Sequence, residues 1–176
     1  MSAEIFVLSD SQIGSIAEWQ QAIEAEGFAL RLSTGDASDG LSGQMSARFG
    51  NEDVEFECEQ VESDELMSRH SDVDFGHAWK FVRAFRGSPT LKQNVAAWIS
   101  AAIFAKLTGG KVFDPGADRL STAEELLSSL REVERAIFDV EAERKELSAW
   151  PPKALTPSPA VISVRLWKDE EGEGGT

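Results

Sequence analysis

A chain of 176 residues is long enough for one ordinary domain with its own core, and its 41% hydrophobic and 27% charged content argue against wholesale disorder. Its charge is lopsided: 17 basic against 31 acidic residues leave a formal net charge of -14, which repels phosphate and anionic lipid and disfavours nucleic acid and membrane surfaces as partners. The single cysteine, Cys58, excludes an internal disulfide and a cysteine-based zinc site.

The N-terminal stretch MSAEIFVLSDSQ has no basic region and only a short apolar run, so it does not read as a signal peptide. No stretch is apolar for long enough to span a bilayer, and a cytoplasmic protein is expected. Glu4 to Leu8 suits a buried strand. Ser15 and Glu18 stand in capping-box spacing, and Gly27 is a natural helix stop. Between them Ile16, Trp19, Ala22 and Ile23 share one helical face, which should dock on a sheet. Phe28 to Leu32 alternates as a half-buried strand.

Residues 33–43, STGDASDGLSG, form a turn-rich loop. Its glycines do not fit a phosphate loop, and Asp36 and Asp39 alone are too few ligands for calcium. Gln44 to Phe49 and Val54 to Val61 read as a hairpin turning at Gly50-Asn51. In its second strand Val54, Phe56 and Cys58 face one way and Glu55, Glu57 and Glu59 the other, so Cys58 reads as a small buried hydrophobe. Between Asn51 and Glu65 stand Glu52, Asp53, Glu55, Glu57, Glu59, Glu62, Asp64 and Glu65 with no base among them. Two readings fit such a stripe: a solvated face that discourages edge aggregation, or a surface that covers a basic partner. Glu52, Asp53, Glu55, Glu57 and Glu59 are the candidate binding residues.

Next, SDELMSRHSDVDFGH is a polar connection with room for one helical turn. Glu65, His70, Asp72, Asp74 and His77 bring oxygen and imidazole ligands close in sequence, but without the fixed helical spacing a metal motif supplies, so no metal is assigned. His77 to Phe85 predicts a strand with His77, Trp79, Phe81, Arg83 and Phe85 on one face. Lys80, Arg83, Arg86 and Lys92 could bind an anion or offset the neighbouring acidic strand.

Thr90 and Gln93 open a helix, in capping-box spacing, that runs to about Leu107 and stops at Gly109-Gly110. It is apolar nearly all round, so it should be buried on more than one side. From Phe75 to Gly110 there is no Asp or Glu, which marks that stretch as the centre of the fold. Lys111 to Asp114 reads as a short strand, and Ser121 with Glu124 as the capping box of a last helix over 122–148. Four of the six prolines lie between 151 and 159, which predicts a linker or arm over 151–168 carrying an apolar strand, Val161 to Trp167. That strand could pair with a second copy to make a homodimer. Residues 169–176 read as a disordered acidic tail.

The succession of an alanine-rich helix, TGG at 108–110, VFDP at 112–115 and LSTAEE at 120–125 resembles small uncharacterised bacterial α+β proteins, some of them among the immunity proteins of polymorphic toxin systems. The resemblance covers residues 90–130. It rests on helix-end and strand residues and holds no catalytic motif, so it implies a fold neighbourhood and carries no functional residue over.

The sequence thus predicts a single α+β domain over 1–150, with a mostly antiparallel sheet and two or three helices on one face. There is no GxSxG elbow and neither histidine has a recognisable nucleophile partner, so no catalytic residue is assigned and no cofactor is expected. The function expected is a non-enzymatic acidic binding protein, of immunity type, with a basic protein partner such as a toxin. The alternative is a small enzyme or ligand-binding domain with a pocket near His77, Trp79 and Arg83 and the 33–43 loop as its lid.

Overall fold

The computed structural model describes residues 3–33, 41–87 and 89–149. Four strands come from the first half of the chain: β1 (Glu4–Ser9), β2 (Leu30–Leu32), β3 (Gly43–Phe49) and β4 (Glu52–Val61). Three follow, β5 (Phe81–Gly87), β6 (Lys111–Asp114) and β7 (Arg119–Thr122). The helices are α1 (Ile16–Ala25), α2 (Ser63–Arg69), α3 (Leu91–Thr108) and α4 (Ala123–Ala149). The strands form a 7-stranded sheet in the order β2-β3-β4-β5-β1-β6-β7, and each neighbouring pair is antiparallel. The chain is α+β, as its alternating strands and capped helices predict.

The fold divides into a unit Met1–Ile137 and a unit that begins at Phe138. The described part of the second is the end of α4, where Val140 and Leu147 are exposed. The expected arm at 151–168, the strand Val161 to Trp167 proposed for a homodimer and the tail at 169–176 lie outside the described residues, as do Asp36 and Asp39.

Within Met1–Ile137 the two sheet faces differ because residues alternate along each strand. Ile5 and Val7 of β1, Val54, Phe56 and Cys58 of β4 and Phe85 of β5 turn to the face that carries α3. Helix α3 has ten buried residues, which explains its lack of a polar side: the sheet covers one flank and α1 another. Trp19 of α1 joins these layers, edge-on to Phe85 at 5.9 Å and to Phe104 at 5.4 Å, while its Nε1 donates to the Ser100 carbonyl at 3.0 Å. The other face carries α2, whose Leu66 packs with Phe6, Leu8, Phe75, Trp79, Val82, Ala84 and Phe113.

Local chemistry sets the helix ends. Ser15 accepts from the Glu18 amide and Thr90 from the Gln93 amide, as the capping boxes predict. For α4 the box lies one residue later than expected: Thr122 and Glu125 cap each other, and Ser121 and Glu124 do not. Strand β7 has no counterpart among the predicted elements, and the polar connection after β4 holds the seven-residue helix α2. At the end of α1, Glu26 places a negative charge against a negative helix terminus. Lys106 of α3 and Arg131 of α4 both bond its carboxylate, and these cations, Lys106 first, hold it below the ordinary carboxylate range. The ion pairs offset an unfavourable placement and fasten three helices together.

Candidate functional site

The acidic strand sits where its alternation placed it. Glu55, Glu57 and Glu59 of β4 turn away from α3, onto the face that α2 covers only in part. Arg86 of β5 is in register with Glu57 on one side and with Glu4 of β1 on the other. Its Nε meets Glu4 at 2.6 Å, and its Nη1 meets Glu59 at 2.7 Å and Glu57 at 3.4 Å. One guanidinium therefore serves three carboxylates, and the planar fork of arginine makes that geometry possible. The hydrogen bond from Arg86 holds the Glu59 carboxyl below its ordinary range, and the same pairs raise the Arg86 pKa further.

The remaining predicted acids also have neighbours. Glu52 pairs with Lys92 at 2.7 Å, Asp53 with Arg48 at 3.2 Å, and Glu55 accepts from Gln44 at 3.4 Å. Helix α2 extends the surface with Glu62, Asp64 and Glu65, of which Glu65 pairs with Arg69 at 2.6 Å. Glu4, Glu62, Glu65, Arg69 and Arg86 line a small groove between α2 and the sheet, floored by Phe6, Val61 and Leu66. Of the four bases proposed to offset the stripe, Arg86 and Lys92 do so and Arg83 does not.

A pH dependence follows from Arg86. A carboxylate whose folded pKa is depressed contributes stability above its unfolded pKa, and that contribution is lost as pH falls through the folded value. Arg86→Gln is expected to lower stability at pH 7 by a margin that shrinks towards about pH 2, as Glu59 takes up its proton through its depressed value. The groups are partly exposed, so added salt should narrow the margin at pH 7 as well. Urea unfolding of both proteins at the two pH values measures it. An equal margin at both would show that Arg86 acts through packing alone.

Among the described residues His77, Trp79 and Arg83 do not converge on one site. His77 and Trp79 precede β5, which begins at Phe81, because the chain turns there: Asp10 accepts the Lys80 amide at 3.1 Å, and the Trp79 indole folds inward to donate to the Phe75 carbonyl at 2.9 Å. Trp79 therefore packs on the α2 face beside Val82, whereas Arg83, the next residue along the strand, points to the α3 face. His77 stays with Trp79, their rings 3.9 Å apart, and its Nε2 meets Asp10 at 2.8 Å. That hydrogen bond is the first cause of the lowered Asp10 pKa. Asp10 lies 67 residues from His77, and nothing in the local sequence pairs them.

Arg83 is 6% exposed and donates to the Leu41 carbonyl, with its guanidinium carbon 5.3 Å from the centre of the Phe104 ring and Nη1 3.8 Å from the Cys58 sulfur. Among the described residues it has no carboxylate partner. Cys58 is the buried small residue expected, and burial pushes its thiol up to about 11, far from a reactive thiolate. His70 packs edge-on to Phe113 at 5.0 Å. Among the described residues no group of three His, Cys, Asp or Glu side chains could hold a metal, and no helix is long and apolar enough to cross a membrane.

No protein-family model, curated protein or solved structure matches the chain.

Proposed function

We propose that the protein is a non-enzymatic acidic binding protein that covers a basic surface of a protein partner with the open face of β4 and the adjoining helix α2. The observation that carries this reading is the run of acids outside the core, Glu55, Glu57 and Glu59 on the strand and Glu62, Asp64 and Glu65 at the helix that follows it. Arg86 and Arg69 neutralise part of it and leave an excess of carboxylates. Like charges along a strand are unfavourable unless something offsets them, and Arg86 reduces that repulsion without removing the negative field. Such a field speeds encounter with a basic surface and makes capture salt-dependent. A basic toxin is a partner of the chemistry this surface would take.

The test is binding of the purified protein to each protein encoded by the flanking genes, with growth rescue read wherever one of them is toxic. Affinity is expected to fall as salt rises, and reversal of Glu55, Glu57 and Glu59 to lysine is expected to weaken binding by at least about tenfold and to abolish rescue. Glu55→Lys alone leaves the Arg86 ion pairs intact and should produce a smaller loss in the same direction. Unchanged affinity in both variants, with the fold verified by circular dichroism, would remove this surface from the function.

A further inference from the structure

The sheet ends in two edges, β2 and β7, and they are finished differently. An unpaired edge is a template on which another chain can add a strand. At β2 the Gln20 side chain stands in for the missing neighbour: its Oε1 accepts from the Leu32 amide at 2.7 Å and its Nε2 donates to the Leu30 carbonyl at 3.4 Å. Leu30 and Leu32 are buried, so that edge is closed.

No such substitute stands at β7. Backbone groups alternate in direction along a strand, and the Gly87 amide donates to the Ala3 carbonyl, so Ile5 and Val7 bond β5 while Phe6 and Leu8 bond β6. Phe113, in register with Phe6, therefore turns its amide and carbonyl to β1, and Val112 and Asp114 turn theirs to Ser121 and Arg119 of β7. Leu120 is left with its amide and carbonyl directed out of the sheet. The Thr122 amide, two residues on, points the same way, and there Glu125 accepts it at 3.0 Å. Among the described residues no side chain takes the Leu120 pair.

The Leu120 side chain lies on the α2 face, and a residue paired with it across the edge would turn its own side chain to that face. A cavity of about 440 Å³ opens there, lined by Arg69, His70, Asp72, Asp74, Asp118 and Leu120. Arg69 is already paired with Glu65 at 2.6 Å, and Asp74 Oδ1 accepts from the Gly76 amide at 2.9 Å. Asp72 and Asp118 have no partner among the described residues. The balance is negative, which suits a basic side chain. The neighbouring residues of an added strand would turn to the α3 face, where Ile5, Val112 and Leu126 line an adjoining cavity of about 180 Å³.

We propose that β7 accepts an extended segment of the protein partner as a further antiparallel strand, with main-chain bonds to Leu120, a lysine or arginine beside it facing Asp72, Asp74 and Asp118, and apolar residues on the other face. The inference rests on the reading of a basic protein partner above and gives that partner a second contact, at the edge of the sheet.

Titration of the full-length protein with a blocked peptide of alternating lysine and valine tests it, read on the Leu120 amide by proton–nitrogen correlation and hydrogen exchange. That amide is expected to exchange freely in the protein alone and at least about tenfold more slowly with peptide bound. Asp72→Asn combined with Asp118→Asn should raise the peptide Kd at least about tenfold, since two charges are lost and asparagine tolerates the Asp118 φ of 46°. The same peptide N-methylated at its lysines keeps its charge and loses the donors that meet Leu120, so it should not slow the exchange. A Leu120 amide already protected in the free protein, no slowing with the lysine–valine peptide, equal slowing by a glutamate–valine or N-methylated peptide, or an unchanged Kd in the double variant would each overturn the proposal. The readout is local to β7, so its failure is told apart from failure of the β4 surface, which reversal of Glu55, Glu57 and Glu59 tests.

Discussion

Trp19→Ala is expected to destabilise the protein by about 3–5 kcal/mol, the largest loss from any single truncation in the helix-bearing layer. The indole is fully buried and holds three elements at once: it stands edge-on to Phe85 of β5 and Phe104 of α3, and α1 carries it. Truncation removes both ring contacts, opens a cavity that the surrounding strands and helices cannot fully close, and deletes the hydrogen bond to the Ser100 carbonyl. Trp19→Phe separates these terms, since it keeps most of the ring packing and loses the bond; a smaller cost of about 1–2 kcal/mol is expected. Urea unfolding followed by circular dichroism gives both numbers, with an unchanged slope showing that the unfolded state is the same. A loss below about 1 kcal/mol in Trp19→Ala would mean that α1 does not depend on this contact.

The parts of this fold that could be read in the sequence are those whose signal is local. Alternation in β4 separates Val54, Phe56 and Cys58 from Glu55, Glu57 and Glu59 without any knowledge of neighbours, and the capping residues Ser15 and Thr90 announce their helices within one turn. The α3 sequence announces burial on several sides because it has no polar face. Errors arise where a tertiary contact overrides the local pattern. Residues 77–80 alternate as well as any strand, yet Asp10 captures the Lys80 amide and Trp79 folds into the α2 layer, so His77, Trp79 and Arg83 never share a face. The capping box of α4 could be drawn at Ser121 or at Thr122, and the β6–β7 pairing, which uses Thr122 opposite Lys111, accompanies the second. That Arg86 could offset the acidic strand was legible, but which carboxylates it meets was not. Its three carboxylates come from β1 and β4, and strand order is a long-range property that spacing does not encode.

The second large loss is expected at Gly110→Ala. Helix α3 ends in two glycines that the sequence presents as one stop signal, yet they do different things. Gly109 adopts a left-handed conformation, φ 64°, and its amide closes the last turn of the helix, so a side chain there is disfavoured by backbone conformation with open space around it. Gly110 passes so close to β1 that a Cβ would overlap the Leu8 carbonyl oxygen and lie 3.0 Å from the Ser9 Cβ. Backbone of a central strand cannot step aside as a flexible side chain could. Gly109→Ala should cost about 1 kcal/mol, and Gly109→Asn less, because asparagine tolerates the left-handed region. Gly110→Ala should cost about 3 kcal/mol, the upper end of the usual overpacking range, and should reduce amide protection in β6 before other strands. Equal costs at the two glycines, measured by urea unfolding, would show that the approach of α3 to β1 is looser than the backbone geometry requires.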